Sequence, residues 1–145
     1  MEFEDVVSTR RSVHEYSEEP LDRDTLDAVF EAATLAPSGY NLQPWEFLAL
    51  RAPEKKQALR EIAFDQEPVP AADPTVVVLG NTDPTAHAEP VFDDWLAKEY
   101  IPNEEVRDSL LENVDGIGAQ PSDERRVWTT RSTSLAAMTL MYAAG

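Results

Sequence analysis

The stretch SDERRVWTTRSTSLAAMTLMYAA, residues 122–144, reads as one uninterrupted helix. Ser122 stands where a cap is wanted, and Asp123 and Glu124 fall in the first turn, where carboxylates meet the positive end of the helix dipole. At 1.5 Å per residue such a helix spans about 33 Å. Trp128, Ser132, Leu135, Thr139 and Tyr142 share one face, and small residues (Ala136, Ala137, Ala143, Ala144) surround them. That pattern predicts a buried helix, packed against the rest of the fold or against a second copy.

The preceding sequence supplies shorter elements. Residues 3–9 read as a short helix. Pro20, Asp22 and Asp24 open a second, whose Leu26, Val29, Phe30 and Ala33 fall at i, i+3, i+4 and i+7 and form an apolar stripe. Pro37 and Gly39 end it. Trp45, Phe47 and Ala49 alternate with Glu46 and Leu48 as in a strand, and TVVVLGN, residues 75–81, is a β-branched run that reads as a buried strand. Residues 54–64 look helical, and two amphipathic segments lie around 90–100 and 103–114. With 42% apolar residues, the 145-residue chain suits one domain, 1–145, without repeats or linkers.

Composition narrows the partners. Twenty-eight acids face twelve bases, for a net charge of −16. Phosphate backbones and anionic membranes would be repelled, so neither nucleic acid nor membrane is expected as a partner. No stretch approaches the ~20 apolar residues of a membrane span. The acids are spread along the chain, as in a protein adapted to a high-salt, halophilic cytoplasm where short Debye lengths screen self-repulsion. An acidic binding module is the rival reading. The absence of cysteine excludes disulfides and thiolate metal sites and fits a cytoplasmic protein.

Two segments are rich in groups that bind. TRRSVHEYS, residues 9–17, sets Arg10, Arg11 and Ser12 in a row, and guanidinium forks beside a hydroxyl suit a phosphate. The alternative is a pair of surface arginines matched to nearby carboxylates. His14 either assists that phosphate or is a surface residue. In APSGYNLQPW, Pro37, Ser38 and Gly39 leave backbone accessible while Asn41 and Gln43 offer amides able to read the edge of a flat heteroaromatic ring. The alternative there is a helix end and a rigid turn that aims Trp45 into the core. The two histidines, His14 and His87, are too scattered for a triad or a metal cluster.

Taken together, Arg10-Arg11-Ser12, their distance from APSGYNLQPWEF, the later PTVVVLGNTD and the long alanine-rich helix resemble the nitroreductase family of flavin enzymes. The resemblance is specific over residues 9–50 and loose over 85–120. It implies an α+β fold, a mixed sheet wrapped by helices, with the long helix at the interface of an intertwined homodimer. It implies FMN as cofactor and NAD(P)H as co-substrate, with hydride passing through flavin N5 to a nitroaromatic, quinone or similar acceptor; no protein residue is required as catalytic acid or base, and no metal. Arg10, Arg11 and Ser12 would hold the phosphate and ribityl chain, assisted from the His14 position. Pro37, Ser38 and Gly39, from the partner subunit, would line the isoalloxazine ring, with Asn41 and Gln43 organising that corner. Phe92, Trp95 and Tyr100 either shape the acceptor pocket or belong to the core.

Two departures from the family pattern stand out. Asp65 occupies a position where the family often has a flavin-contacting asparagine; a carboxylate can accept from flavin N3–H but cannot donate to O2, and Gln66 is the alternative partner. The family also continues for about one more strand–helix unit, so the resemblance implies a chain lacking its C-terminal part. Two other readings follow: a superfamily enzyme of different chemistry, such as dehalogenation or flavin fragmentation, and a non-catalytic acidic fragment without flavin.

Overall fold

The computed structural model describes residues 2–17 and 19–145 of the chain. Helix α1 (Phe3–Thr9) begins at Glu2 with Glu4 and Asp5 in its first turn. Helix α2 (Arg23–Thr34) is capped by Asp22, whose carboxylate accepts from Thr25 N at 2.8 Å. Of its expected stripe, Leu26 and Ala33 are buried and Val29 and Phe30 half-buried. Strands β1 (Trp45–Leu50) and β2 (Thr75–Gly80) pair antiparallel with Phe47 opposite Val78. Residues directly opposite share a face, so Trp45, Phe47 and Val78 turn toward the helices, and Phe47 stacks on Phe30 with ring centroids 5.3 Å apart. The α+β class holds, and among the described residues its sheet is this one antiparallel pair.

Helix α3 (Pro53–Ile62) and the single turn α4 (Pro68–Ala71) connect the strands. Lys56, although buried, donates to Ala72 O at 2.8 Å and so ties α3 to the end of α4. Helices α5 (Ala88–Ala97) and α6 (Glu104–Gly118) pack together around Phe92 and Val114, both fully buried. Asn103 caps α6 by accepting from Val106 N at 3.0 Å.

Helix α7 (Ser122–Ala143) is as long as its sequence implies, with two corrections. It begins one residue early: Pro121 is the capping position and Ser122 already lies in the first turn. Its buried face is Thr129, Ser132 and Ala136, while Leu135, expected inside, is 47% exposed. The reason is close approach. Helix α2 lies against α7, and Ala36 and Ala136 meet beside Trp45 in one core cluster; the smallest side chains take the crossing, which rotates the larger Leu135 outward. Val127, Met138 and Met141 are also about half exposed, so one side of α7 is an apolar stripe without a partner among the described residues.

Two core clusters result, one around Leu42, Ala88, Phe92 and Val114, the other around Ala36, Trp45 and Ala136. The connection from α2 to β1 contributes Leu42 to the first and, with Trp45 at the start of β1, Ala36 to the second. It is therefore a buried bridge between halves of the molecule. Among the described residues no helix is long and apolar enough to cross a membrane.

Candidate functional site

The arginine segment leaves α1 and runs beside the last turns of α7. Phe3 meets Tyr142 edge-on at 5.9 Å, which pins α1 to that end of the long helix. Between them lies an open groove of about 780 Å³, lined by Arg10, Arg11, Ser12 and Tyr16 on one side and by Met141 and Gly145, among others, on the other. Arg11 folds its guanidinium back on the chain, donating to Ser8 O and to Arg10 O, each at 2.8 Å. The ion pairs of the described residues engage Arg23, Arg60, Lys98 and Arg107. Arg10 and Arg11 are in none of them, in a chain with more than two acids per base. Among the described residues neither pairs with a neighbouring carboxylate, as is also true of Arg51, Arg125, Arg126 and Arg131. His14 is exposed and lies outside the lining of this groove.

The corner of residues 37–43 is built differently. Ser38 Oγ accepts from Gln43 N at 3.0 Å, and Gln43 Nε2 donates to Thr34 O at 2.9 Å. Gly39 N donates to Ser132 Oγ on α7 at 3.2 Å. A Cβ at Gly39 would lie 2.9 Å from Trp128 Cζ2, so glycine is required there for close approach. Tyr40, Asn41 and Gln43 adopt φ of 54°, 55° and 45°. Left-handed non-glycine residues cost of order 1–3 kcal/mol each and persist where surroundings over-determine them. Here the hydrogen bonds of Ser38, Gln43 and Ser132 supply that determination. Pro37 is exposed at the rim and Pro44 is buried.

The arginine groove and the corner do not share a cavity within one chain. The corner is anchored at Ser132, whereas the groove begins at Leu140; eight residues along a helix are about 12 Å. Asn41 and Gln43 instead line a separate cavity of about 420 Å³ with His87, Pro90, Val91 and Asp94. Sequence reasoning set His87 aside, and only the folding of the chain at the start of α5 brings it beside Asn41.

Asp65 stands on the loop after α3 with φ 57°. Its carboxylate receives Arg60 Nε at 2.7 Å, and Glu67 receives the same guanidinium at 2.6 Å. The hydrogen bond to Asp65 leads the causes that raise the Arg60 pKa above its ordinary value. Asp65 is thus held by a cation of its own chain and lies outside both cavities, as does Gln66. Phe92 is fully buried, and Trp95 packs on it with centroids 5.4 Å apart; both are core. Tyr100, 71% exposed, is not.

With this geometry in view, residues 7–145 match the nitroreductase family, and the chain belongs to it. It is 33% identical over 97% of its length to "Putative NAD(P)H nitroreductase YodC" of Bacillus subtilis, spanning 69% of that protein. It is 28% identical over 98% of its length to rat (Rattus norvegicus) "Iodotyrosine deiodinase 1", spanning 48% of it. Among solved structures it resembles a "putative nitroreductase in complex with FMN" from Exiguobacterium sibiricum, with a TM-score of 0.84, 28% identity, and coverage of 99% of this chain and 70% of that one. The helix-rich fold of this chain, with its small antiparallel sheet, matches that structure. The family consists of flavin oxidoreductases.

Proposed function

We propose that residues 1–145 form the FMN-holding part of an oxidoreductase that passes hydride from NAD(P)H, by way of the flavin, to a nitroaromatic, quinone or similar acceptor. The observation that carries this reading is the groove that Arg10, Arg11 and Ser12 line together, a local cluster of donors in a strongly acidic chain. Its residues fit the group: a phosphate would satisfy both guanidiniums and the Ser12 hydroxyl through charge-assisted bonds, and about 780 Å³ lies within the range of cofactor clefts. The flavin, when bound, supplies the hydride-accepting and hydride-donating centre. The chain's own work is then to hold the phosphate and ribityl chain with Arg10, Arg11 and Ser12, and to present a rigid polar edge at Pro37–Gln43.

A second copy completes the arrangement in this reading. Within one chain the corner and the groove open into separate cavities, so in this reading the ring and phosphate subsites are joined across two copies. A homodimer that buries the stripe of Val127, Leu135, Met138 and Met141 would bring the corner of one protomer to the groove of its partner. His14 and Asp65 join only as accessory contacts, Asp65 after release from Arg60. The charge of −16 supports assembly in a salt-rich medium. Absorption spectroscopy tests the reading: in molar salt with added FMN the chain should hold a yellow flavin that bleaches with anaerobic NADH or NADPH. A folded chain that leaves FMN free would reject it.

The 28% identity to rat "Iodotyrosine deiodinase 1" supports a second reading, reductive dehalogenation of a halogenated aromatic. Halide release from a halophenol by the reduced protein separates it from nitro or quinone reduction.

A further inference from the structure

Helix α7 separates the corner from the groove, and its surface between them is unusual for this chain. From Val127 to Gly145 the only charged residue is Arg131, although 28% of all residues are charged. Counted round the helix at about 100° per residue, Val127, Ser134 and Met138 lie within about 40° of one another, on the side opposite buried Ala136. Trp128 and Ser132, against which the corner is pressed, lie about 100–140° to one side of Val127. Leu140 and Ala144, which line the groove, lie about 100–140° to the other side. Corner and groove therefore flank one exposed and nearly uncharged face. Arg131, at its border, shares a cleft with Asp123 and Glu124.

We propose that two copies of this chain pair along that face with their α7 helices parallel, about a two-fold axis that runs along them. The proposal rests on the flavin reading above, in which ring and phosphate are held by different copies. Two chains of charge −16 repel each other, and an uncharged face lets them approach with the least repulsion. Val127, Leu135, Met138 and Met141 are between 40% and 52% exposed, and covering them favours the contact. Symmetry then decides the direction, because the same patch is used on both copies. A two-fold axis along the helices sets the corner of each copy on the same side as its partner's groove. An axis across the helices gives an antiparallel pair, with corner beside corner and groove beside groove. Only the parallel pair joins the two parts of the site. The offset of about 12 Å between Ser132 and Leu140 then runs along the shared flank, where an extended ribityl phosphate can span it.

Cysteine coupling tests the direction, since the chain has no cysteine of its own. Val127→Cys and Met138→Cys are made singly, with Glu61→Cys on exposed α3 as control, and each full chain is treated with oxidised glutathione in molar salt. A disulfide needs Cα atoms within about 7 Å, and a parallel pair sets every position of the face opposite itself. Both α7 variants should therefore couple to themselves, giving at least ~10-fold more covalent dimer than the control. In an antiparallel pair the two positions are about 16 Å apart along the helix, so at most one can lie near the axis and couple. Coupling at one position only, or at neither, overturns the parallel pair. FMN absorption is followed on the uncoupled parent in the same medium. Bound FMN without coupling at both positions leaves the flavin reading standing and rejects the parallel pair; coupling at both positions with FMN left free upholds the pair and rejects the flavin reading.

Discussion

The arginine groove and the Pro37–Gln43 corner both lean on α7, but they are held in opposite ways. The corner is locked: three left-handed residues, a glycine pressed to Trp128, and a bond to Ser132 leave it little freedom. The groove is open, with Arg10 half-exposed and Arg11 exposed and tied only to the carbonyls of Ser8 and Arg10. Shape is prepared in one region and charge in the other. A planar ring is recognised by a preformed edge, which tolerates no adjustment, while a phosphate can be gripped by flexible cations that reorganise on arrival. Substitutions in the corner should therefore register in stability, and substitutions in the groove in binding.

The largest stability effect is expected where the corner enters the core. Leu42→Ala removes a side chain 1% exposed and should cost about 2–5 kcal/mol, read as a lower urea midpoint with unchanged slope. A loss below ~1 kcal/mol would mean that the corner is not the bridge between the two clusters. Gly39→Ala forces a Cβ to within 2.9 Å of the Trp128 ring and should cost about 1–3 kcal/mol. Ser132→Ala removes the acceptor for Gly39 N, for about 1–2 kcal/mol and faster hydrogen exchange at that amide. By contrast, Arg10→Ala and Arg11→Ala should leave the midpoint within about 0.5 kcal/mol of the parent. A stability loss there comparable to that of Gly39→Ala would erase the distinction between the regions.

The smallest effect concerns acid, away from both regions. Thr25 N and Thr25 Oγ1 donate to the Asp22 carboxylate, and its pKa is lowered below the ordinary value. Asp83 is lowered likewise, first by Thr85 Oγ1 and then by Thr85 N. A depressed folded pKa means the unfolded chain takes up the proton first. The stabilisation is complete above the unfolded value near ~3.9 and is lost as pH falls through the lower folded value. Urea midpoints between pH 6 and pH 3 should fall less steeply in Asp22→Ala than in the parent; identical slopes would show that this cap does not contribute to acid sensitivity.

Much of this could be read from the chain itself. Periodicity located α2, β1 and α7 to within a few residues, and a β-branched run located β2, which is half-buried rather than buried as expected, with Leu79 44% exposed. Periodicity misassigned the buried side of α7, since hydrophobicity alone favours Leu135 over Thr129; the winning criterion was how closely α2 approaches, which depends on a distant helix. In the candidate site, residue types able to bind were visible in Arg10, Arg11, Ser12, Asn41 and Gln43. Their separation into a groove and a corner was not, because it is set by how far apart Ser132 and Leu140 lie on α7. His87 carried no local signal and gained its neighbours only through tertiary folding. Asp65 shows the converse: its chemistry was legible, but its commitment to Arg60 depends on a loop whose left-handed backbone propensity does not foretell.

The central claim is that Arg10 and Arg11 are held free for a phosphate, and the most direct test compares FMN with riboflavin, which differ by that phosphate alone. Isothermal titration in molar salt should show the parent chain binding FMN at least ~100-fold more tightly than riboflavin, since two charge-assisted bonds are worth about 1.5–3 kcal/mol each. In the Arg10→Ala/Arg11→Ala double variant the two ligands should bind alike. A parent chain that does not discriminate between them, or a double variant that discriminates as before, would contradict the account.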